Sequence, residues 1–450
     1  MREIDTVIIG AGPAGYEAAL HLANSGVDTL LIEHSKVKIG GVCLNEGCIP
    51  TKNYLQSSSF ASKIPYFKSC GLELEYNGFD LKQLVQKTIA LKDELRSGVV
   101  WMLDQAKVEI LYGTALFRDS NHLELSGEVI AFKKCIIATG SQVLQVPKLP
   151  LDGKYIISSS DIFNLQTMPS SITIVGGGAI GCEFATFFSA FGVDVTMVVR
   201  GLRLLTREDE EVSKALLRAF KKRSIKVLTS AEISNVEVDE SGAKLLVATP
   251  EGEKTLNSEL LLCAIGRIPR SKELQLEKAG VKCDKRGFVE VNEALQTTQK
   301  HIYAAGDCIN TPGFAHTAYT EGRIAAQNSV KGDSLTNSHV TPFTIFCDPQ
   351  IASCGLNEQE AKEQGIEVEV KKAYFKANAK AKISGDDSGF VKIVISSQSG
   401  EILGASIIGA EATEIIHEFI IAIEKKIPHN EFVKMIFAHP TLCEIVRYLI

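Results

Sequence analysis

The amino-acid sequence predicts an α/β protein with two Rossmann-like dinucleotide-binding domains and a C-terminal α+β domain. A glycine pattern at residues 10–15 (GAGPAG) recurs at residues 176–181 (GGGAIG). Each copy follows a short apolar strand and opens a helix that leads to a second strand, which is the order of a βαβ unit. After about residue 340 the texture changes to strands and a helix without a nucleotide-binding pattern. Since 450 residues exceed what one hydrophobic core supports, several domains are expected.

The elements of the two βαβ units are predicted from their periodicity and their flanking glycines. In chain order they are strand 4–9, helix 16–23 and strand 29–32 in the first unit, and strand 171–175, helix 182–191 and strand 194–199 in the second. Further elements lie between and after these units. They are a helix over 81–105, strands within 108–137, apolar strands over 134–140 and 260–267 that each run to a glycine, antiparallel strands over 390–395 and 402–408, and a helix over 412–424.

Composition and charge are those of an ordinary globular protein. Hydrophobic residues make up 45% of the chain and charged residues 23%, and a formal net charge of −6 is scattered along it. No basic run indicates a nucleic-acid or membrane surface. No apolar stretch approaches the roughly 18 residues that a membrane span requires. Because the N-terminus also lacks the layout of a signal peptide, a cytoplasmic location is expected.

Two of the 11 cysteines differ from the rest. Cys43 and Cys48 stand with four residues between them in the run 40–52 (GGVCLNEGCIPTK). Gly47 and the preceding glycines allow the chain to fold back, and Pro50 suits the first turn of a helix whose N-terminus would stabilise a thiolate at Cys48. The pair therefore predicts a disulfide that is made and broken during turnover. The other nine are expected to be buried structural thiols, and since no spacing resembles a zinc site, no metal is expected.

The first glycine pattern predicts a dinucleotide site that recognises a ribose hydroxyl. Its glycines let the backbone approach a pyrophosphate, and the helix N-terminus favours the negative charge. Glu33 lies eighteen residues after Gly15 and can accept a hydrogen bond from a ribose hydroxyl.

The second glycine pattern carries conflicting signals about its dinucleotide. The same count of eighteen residues from Gly181 reaches Val199, which is followed by Arg200, with Arg203 and Arg207 nearby. An arginine suits a 2′-phosphate, yet Gly181 itself belongs to the NAD type of fingerprint. The sequence therefore predicts a nicotinamide dinucleotide and leaves NAD and NADP open.

With these features in place, the chain resembles the class I pyridine nucleotide–disulfide oxidoreductases and, within that family, the dihydrolipoamide dehydrogenases. The resemblance covers essentially the whole length. It rests on residues 10–15, the run 40–52, 138–140 (ATG), 176–183, 305–307 (AGD), 347–352 (CDPQIA) and 439–444 (HPTLCE). It implies a first part of an FAD-binding domain at 1–145, an NAD(P)-binding domain at 146–266, a second part of the FAD and central domain at 267–338, and a dimerisation domain at 339–450.

The resemblance also assigns roles to individual residues. Lys52 would lie beside the flavin ring and pair with Glu183, where a positive charge suits the negative charge of the reduced ring. Asp307 would meet the ribityl chain, and His316 is a further candidate near the flavin. The residues expected to bind cofactor are Gly10, Gly12, Gly15, Glu33, Lys52, Thr139, Gly140, Asp307 and Ala315 for FAD, and Gly176, Gly178, Gly181, Arg200 and Gly266 for NAD or NADP.

A histidine and a carboxylate near the C-terminus supply the acid–base chemistry. A thiolate rather than a thiol attacks a disulfide, so an incoming thiol must lose its proton. A histidine such as His439 is a suitable base for a thiol, and Glu444 on its other nitrogen would fix the tautomer. In this family the histidine completes the disulfide site of the other subunit, so a homodimer is implied. The implied partner is a lipoyl-bearing acyltransferase or carrier protein of a 2-oxo acid dehydrogenase or glycine cleavage complex.

The expected reaction is the oxidation of protein-bound dihydrolipoyl groups through Cys43 and Cys48, FAD and then NAD(P)⁺. Cys43 would exchange with substrate, and Cys48 would lie nearest the flavin. Arg200 favours an alternative, an NADPH-dependent reductase of another disulfide such as glutathione. Mercuric ion reduction is disfavoured, because no vicinal cysteine pair lies at the C-terminus. A flavoprotein whose main role is assembly onto a multienzyme complex is a further alternative, against which the redox pair and the His439–Glu444 pair argue.

Overall fold

A computed structural model of the chain describes residues 2–332 and 335–450. Residue 1 and residues 333–334, which fall inside two of the predicted domain ranges, lie outside the described part. The predicted fold class is confirmed, since a glycine turn follows a parallel strand in each of two sheets, and an antiparallel sheet with helices follows residue 340. None of the helices in the described ranges is both long and apolar enough to cross a bilayer.

The strands of the described residues are, in chain order, β1 Arg2–Ile9, β2 Thr29–Glu33, β3 Glu109–Tyr112, β4 Ala115–Phe117, β5 His122–Leu125, β6 Glu128–Ile137, β7 Ser141–Val143, β8 Ile156–Ser158, β9 Ser171–Val175, β10 Asp194–Val198, β11 Lys226–Leu228, β12 Glu232–Asp239, β13 Gly242–Thr249, β14 Gly252–Ser258, β15 Leu260–Cys263, β16 Arg267–Pro269, β17 Ile302–Ala304, β18 Phe343–Ile345, β19 Ile351–Gly355, β20 Val368–Tyr374, β21 Phe390–Ser396 and β22 Ile402–Ile408. The α-helices are α1 Pro13–Asn24, α2 Gly41–Glu46, α3 Cys48–Ser69, α4 Leu81–Gln105, α5 Ala179–Ala190, α6 Glu210–Lys222, α7 Ala315–Lys331, α8 Glu358–Glu363, α9 Ala379–Ile383, α10 Ala412–Glu424 and α11 His429–Phe432.

One compact unit comprises residues 1–51, 83–144 and 266–338. Its main sheet has the order β3-β2-β1-β6-β5-β4, and β17 also pairs with β6. The strands β1, β2, β3, β6 and β17 run parallel, as the βαβ pattern predicts. Because parallel strands are covered on both faces, β1 ends in a continuous buried run of Val7, Ile8 and Ile9. Helix α1 packs closely on α7, where a Cβ at Gly322 would lie 2.2 Å from the carbonyl oxygen of Ala14.

The second compact unit comprises residues 52–82, 145–265 and 339–450. It contains a parallel sheet of order β11-β10-β9-β15-β8, an antiparallel sheet of order β12-β13-β14, and an antiparallel sheet of order β18-β19-β22-β21-β20. Helix α10 packs on β19 and β22 through buried Ile415, Ile416 and Phe419. Burying an apolar side chain of this size contributes about 1.5–3 kcal/mol, which is why this helix stays on its sheet.

The sequence did not predict the short helix α2. Gly40 and Gly41 have φ +89° and +66°, so they turn the chain into the helix, and α2 ends before Gly47. Cys43 therefore lies within a helix of its own, and Cys48 begins the next helix, α3.

Candidate active site and dinucleotide sites

The first glycine turn joins β1 to α1 and forms a cradle for a pyrophosphate. Gly10 has φ +104°, and a Cβ there would lie 2.4 Å from the carbonyl oxygen of Ala138, so only glycine fits. A Cβ on Gly15 would lie 1.8 Å from Gly10 O, which shows how closely α1 packs on the turn. Helix α1 begins at Pro13 with Gly12 as its N-cap. The N–H groups of its first turn lack helical partners and are available to an anion.

Glu33 is the last residue of β2, and its carboxylate is turned towards this glycine turn. The side chain is buried, and Oε2 accepts a hydrogen bond from the amide of Ala11 at 2.8 Å. Oε1 lies 3.4 Å from the amide nitrogen of Ser35. The carboxylate is therefore held at the end of the strand, where a ribose hydroxyl would be recognised.

The cysteine run starts in contact with the same turn. A Cβ on Gly41 would lie 2.7 Å from the Cα of Gly12, so the two main chains touch. The amide of Gly40 donates to the carbonyl oxygen of Ala11 at 2.8 Å. Because Gly41 also has a positive φ, an L-residue at this position would be strained as well as crowded.

The two cysteines of the run occupy adjoining helices and are both half-buried. Cys43 lies in α2, and Cys48 is the first residue of the 22-residue helix α3. A helix N-terminus carries partial positive charge, so it stabilises a thiolate at Cys48. Gly47 separates the helices, and its carbonyl oxygen accepts hydrogen bonds from both the amide and the hydroxyl of Thr51, at 3.1 and 2.6 Å.

Asn45 stabilises the cysteine run by hydrogen bonds to its main chain, a role that the sequence did not predict. Its buried amide group donates to the carbonyl oxygens of Ile39 at 3.0 Å and Gly41 at 2.8 Å. Its Oδ1 accepts from Nη2 of Arg96 at 2.7 Å. No sequence pattern links residues 45 and 96, since Arg96 reads as one of many charged residues on α4.

Asp307 lies in a polar network beneath the Ala-Gly-Asp turn. Its Oδ2 accepts from the hydroxyl of Ser141 at 2.7 Å, and that hydroxyl in turn accepts from Nε of Arg267 at 2.8 Å. Burial of the guanidinium lowers the pKa of Arg267 below its ordinary value. Thr139 donates its hydroxyl to the carbonyl oxygen of Arg270 at 2.6 Å. The sequence motifs predicted cofactor-binding roles for Asp307 and Thr139 but gave no sign of Ser141 and Arg267.

Glu321 holds the same turn from the other side. It is fully buried on α7, and Oε2 accepts from the amide of Gly306 at 2.8 Å. Burial raises the pKa of Glu321 to about 7, against an ordinary value of 4.5. The carboxyl group of Glu321, which positions Gly306, can therefore take up a proton near neutral pH.

The remaining residues expected at the two cofactor sites lie at element ends. Gly140 and Gly266 have φ +70° and +127°, and Leu144 donates its amide to Gly266 O at 3.0 Å. Ala315 is the first residue of α7, and the ring of His316 stacks on Phe314 with 5.1 Å between centroids. The structure therefore leaves the role of His316 a prediction.

The second glycine turn repeats the first. Gly176 has φ +124°, and a Cβ there would lie 2.2 Å from the carbonyl oxygen of Ala264. A Cβ on Gly181 would lie 2.3 Å from Gly176 O, while a Cβ on Gly178 would meet nothing within 4 Å. The turn thus has the tight packing behind it and the open space in front of it that a dinucleotide needs. Arg200 follows the strand β10 and is exposed.

Lys52 and Glu183 form an ion pair. Lys52 Nζ lies 2.9 and 3.1 Å from the two carboxylate oxygens of Glu183. The carboxylate is buried and also accepts from the amide of Phe346 at 2.9 Å. Nζ lies 4.7 Å from the centroid of the Phe346 ring. The ammonium group is therefore oriented on one side by a fixed carboxylate and on another by an aromatic face.

His439 and Glu444 also lie within hydrogen-bonding distance. Nδ1 of His439 is 2.8 Å from Oε2 of Glu444, whose side chain is only 2% exposed, whereas that of His439 is 67% exposed. When Nδ1 donates to the carboxylate, Nε2 is left as the nitrogen that can accept a proton.

The other nine cysteines divide by burial. Six are buried, namely Cys135, Cys182, Cys263, Cys308, Cys347 and Cys354, and Cys443 is half-buried. Burial raises the pKa of Cys308, Cys354 and Cys443 to about 12, which suppresses their thiolates. Cys70 and Cys283 are exposed rather than buried, so the sequence expectation of burial does not extend to them.

Comparisons with known proteins agree with this arrangement. Residues 4–322 match the model of the pyridine nucleotide-disulphide oxidoreductase family, and residues 341–450 match the dimerisation domain of that family. The chain is 37% identical over 454 residues to a dihydrolipoyl dehydrogenase of Chlorobaculum tepidum, covering 99% of this chain and 96% of that one. It is 36% identical over 446 residues to the dihydrolipoyl dehydrogenase of Bacillus subtilis, covering 98% and 96%. A solved Cu(II) complex of the HOCl-induced flavoprotein disulfide reductase RclA from Escherichia coli matches with a TM-score of 0.89 and 26% identity, over 100% of this chain and 99% of that one.

Proposed function

Because the chain belongs to the pyridine nucleotide-disulphide oxidoreductase family, we propose that it is an FAD-dependent dihydrolipoamide dehydrogenase. The family implies FAD and a pyridine nucleotide as cofactors. The proposed reaction oxidises a dihydrolipoyl dithiol to its disulfide and passes two electrons through the Cys43–Cys48 pair to FAD and then to NAD(P)⁺.

The His439–Glu444 pair is the observation that carries this proposal. A dithiol substrate must be deprotonated before it attacks a disulfide. His439 presents an exposed imidazole whose Nδ1 is fixed by a buried carboxylate, so Nε2 serves as the proton acceptor. A protein that only assembled onto a complex would not need a base held in this way.

The thiol exchange transfers two electrons from the substrate dithiol to the cysteine pair in two steps. His439 takes the proton of one substrate thiol, and the resulting thiolate attacks the sulfur of Cys43. The Cys43–Cys48 bond breaks, and Cys48 leaves as a thiolate that the N-terminus of α3 stabilises. The second substrate thiol then attacks the substrate sulfur of the mixed disulfide, which closes the substrate disulfide, breaks the bond to Cys43 and passes the proton of that thiol to the departing sulfur of Cys43. The substrate has lost two electrons, and the enzyme pair has gained them.

The glycine turn of residues 10–15, Glu33, Thr139 and Asp307 are proposed to hold FAD. The fit rests on the open cradle before α1 and on carboxylates that are already oriented by hydrogen bonds. When bound, FAD accepts an electron pair from a dithiol and yields it as a hydride to a pyridine nucleotide. Lys52, which pairs with Glu183, is proposed to supply a positive charge that stabilises the negative charge of a reduced flavin.

The match of residues 341–450 to a dimerisation domain supports a homodimer, in which His439 is proposed to serve the cysteine pair of the second copy. The proposed partner is a lipoyl-bearing acyltransferase or carrier protein of a 2-oxo acid dehydrogenase or glycine cleavage complex. A cytoplasmic location is proposed because a cysteine pair that is opened and closed during turnover suits a reducing compartment.

The proposal is tested with the purified holoenzyme and its Cys48→Ser variant. The wild-type protein is expected to be yellow, to be bleached by dihydrolipoamide without oxygen, and to reduce NAD⁺ or NADP⁺. The variant should retain its colour and its fold but lose dihydrolipoamide turnover. Normal turnover in the variant, or a colourless wild-type protein, would contradict the proposal.

A reductase of another disulfide such as glutathione is the second candidate, because Arg200 suits NADPH. Parallel assays decide between the two, with dihydrolipoamide oxidation and glutathione disulfide reduction measured at equal enzyme concentration. The lipoamide proposal requires the higher kcat/KM with dihydrolipoamide.

A further inference from the structure

We infer that the second dinucleotide site selects the 2′-phosphorylated cofactor, NADP(H), and that Arg200 is the residue that selects it. The inference rests on the proposed function only in taking residues 176–181 as the pyridine nucleotide site, and it adds which nucleotide that site accepts.

Strand register makes Val199 the counterpart of Glu33. In the first βαβ unit Ile9 pairs with Ile32, and the amide of Gly10 donates to Ile32 O at 2.7 Å. In the second unit Val175 pairs with Val198, and the amide of Gly176 donates to Val198 O at 2.9 Å. The next residue along the second strand is Glu33 in one unit and Val199 in the other. The strand register therefore places Val199 at the position that Glu33 occupies in the first unit, in agreement with the count of eighteen residues from the third glycine.

The two counterparts have opposite chemistry. Glu33 directs a carboxylate at the glycine turn, where it accepts from the amide of Ala11. Val199 is buried against the corresponding glycine, since a Cβ on Gly177 would lie 2.7 Å from Cγ1 of Val199. The second site thus presents a methyl group where the first presents an acceptor for ribose hydroxyls. NAD therefore loses a recognition group at this position.

Hydrogen bonds hold the loop that carries Arg200 beside the glycine turn. The amide of Leu205 donates to Gly177 O at 2.8 Å, which folds residues 201–205 back onto the turn. On either side of Arg200, Val199 O accepts from the amide of Ala231 at 3.0 Å and Gly201 O accepts from the amide of Ser230 at 2.9 Å. The backbone at residue 200 is therefore fixed, while its side chain is exposed.

Arg203 is not available for a phosphate, because its guanidinium is used inside the loop. Nη1 donates to the carbonyl oxygen of Glu208 at 2.7 Å and contacts the hydroxyl of Ser213 at 2.9 Å, and Nη2 donates to the carbonyl oxygen of Thr206 at 3.0 Å. Arg203 is thus a positioning residue for the loop. Of the arginines at 200 and 203, only Arg200 is exposed.

The acids of this loop do not replace the missing carboxylate. Glu208 and Asp209 are both buried, and Asp209 accepts from the amide of Glu211 at 2.8 Å and pairs with Lys392 at 2.8 Å. No carboxylate of the described residues lies within 4.0 Å of the Arg200 guanidinium. An uncompensated guanidinium binds a phosphate dianion by paired, charge-assisted hydrogen bonds.

The test compares two ligands that differ only in the 2′-phosphate, namely 2′,5′-ADP and 5′-AMP. Affinities are measured by isothermal titration calorimetry on the FAD-loaded protein, so that FAD fills the first adenosine site. The wild-type protein should bind 2′,5′-ADP at least about tenfold more tightly, since a charged hydrogen bond contributes roughly 10- to 150-fold. Arg200→Ala should remove this preference and leave the affinity for 5′-AMP within about twofold.

Arg207→Ala is the matched control, because Arg207 is equally exposed on the same loop and should retain the preference. Equal affinities for the two ligands in the wild-type protein, a preference for 5′-AMP, or an unchanged preference in Arg200→Ala would each overturn the inference. These binding measurements involve no dithiol. Failure of dihydrolipoamide turnover would therefore count against the proposed function alone, and failure of 2′-phosphate discrimination against the role of Arg200 alone.

Discussion

Glu444 and His439 lie 2.8 Å apart, yet one side chain is almost completely buried and the other is largely exposed. The carboxylate is thus fixed by the protein interior, and the imidazole that it orients is free to meet a substrate. This division of labour suits a base that must be oriented and accessible together.

Replacement of the base should separate its role from that of the flavin site. His439→Gln is expected to lower the kcat of dihydrolipoamide oxidation by about 10²–10⁴-fold, the range of general acid–base catalysis. Reduction of an artificial one-electron acceptor by the pyridine nucleotide needs no thiol deprotonation, so its rate should stay within about twofold. His122→Gln, on a surface hairpin, is the control. Equal loss in both assays would mean that His439 supports the structure rather than the proton transfer.

The ion pair of Lys52 and Glu183 should contribute to stability as well as to charge placement. Glu183→Gln keeps an acceptor for the Phe346 amide but removes the charge opposite Lys52. Because Lys52 remains partly exposed, a loss of about 1–3 kcal/mol is expected rather than the full cost of a buried lone charge. Differential scanning calorimetry of the holoenzyme should show a Tm lower by several degrees. Glu232→Gln, in an exposed pair, should leave the Tm unchanged, and an unchanged Tm in Glu183→Gln would contradict this expectation.

Glu321 should make stability depend on pH near neutrality. Its folded pKa of about 7 lies above the ordinary 4.5, so the folded state binds the proton more tightly than the unfolded state. The contribution of Glu321 to the free energy of unfolding therefore falls as pH rises from about 4.5 through 7, by up to about 3 kcal/mol at about 1.36 kcal/mol per pKa unit. Glu321→Gln mimics the protonated group, so its Tm relative to wild type should rise between pH 5 and 8. Glu208, whose pKa burial also raises to about 7, is common to both proteins and cancels in the difference. A constant Tm difference across this range would refute the role of Glu321.

Lys392 is a buried ammonium on β21 whose loss should be costly. Only 4% of its side chain is exposed, and Nζ lies 2.8 Å from Asp209, 3.1 Å from Glu211 and 2.9 Å from Glu358. These carboxylates raise its pKa above the ordinary value, although burial acts in the opposite direction. Lys392→Met would leave the buried Asp209 without its ammonium partner, while Glu211 and Glu358 keep their pairs with Lys372 and Lys362, and is expected to cost about 3–5 kcal/mol. Lys226→Met, which breaks an exposed pair with Asp194, should cost at most about 1 kcal/mol in the same denaturation experiment.

Local patterns predicted the fold well where the deciding interactions are short-range. The glycine turns, the helices α4 and α10 and the strands beside them follow from periodicity and from backbone conformations that only glycine adopts. The helix α2 escaped prediction because six residues give too little periodicity, and its start depends on the positive φ of Gly40 and Gly41.

The site was predicted where motifs carry the chemistry and missed where distant side chains hold the motifs in place. Asn45 lies within the recognisable run, but its partner Arg96 is 51 positions away. Glu321 reads in the sequence as an ordinary charged residue, and Arg203 as a further arginine near the second glycine pattern. Their roles come from burial and from the carbonyl and amide groups around them, which one-dimensional spacing does not encode.

The contact of Gly41 with Gly12 joins the thiol-bearing segment to the nucleotide turn through main chain alone. If residues 40–52 were transferred into another nucleotide-binding protein, that protein would therefore need a residue without a side chain at the position that contacts Gly41. Even one methyl group at residue 41 would lie 2.7 Å from the Cα of Gly12 and would push the two segments apart.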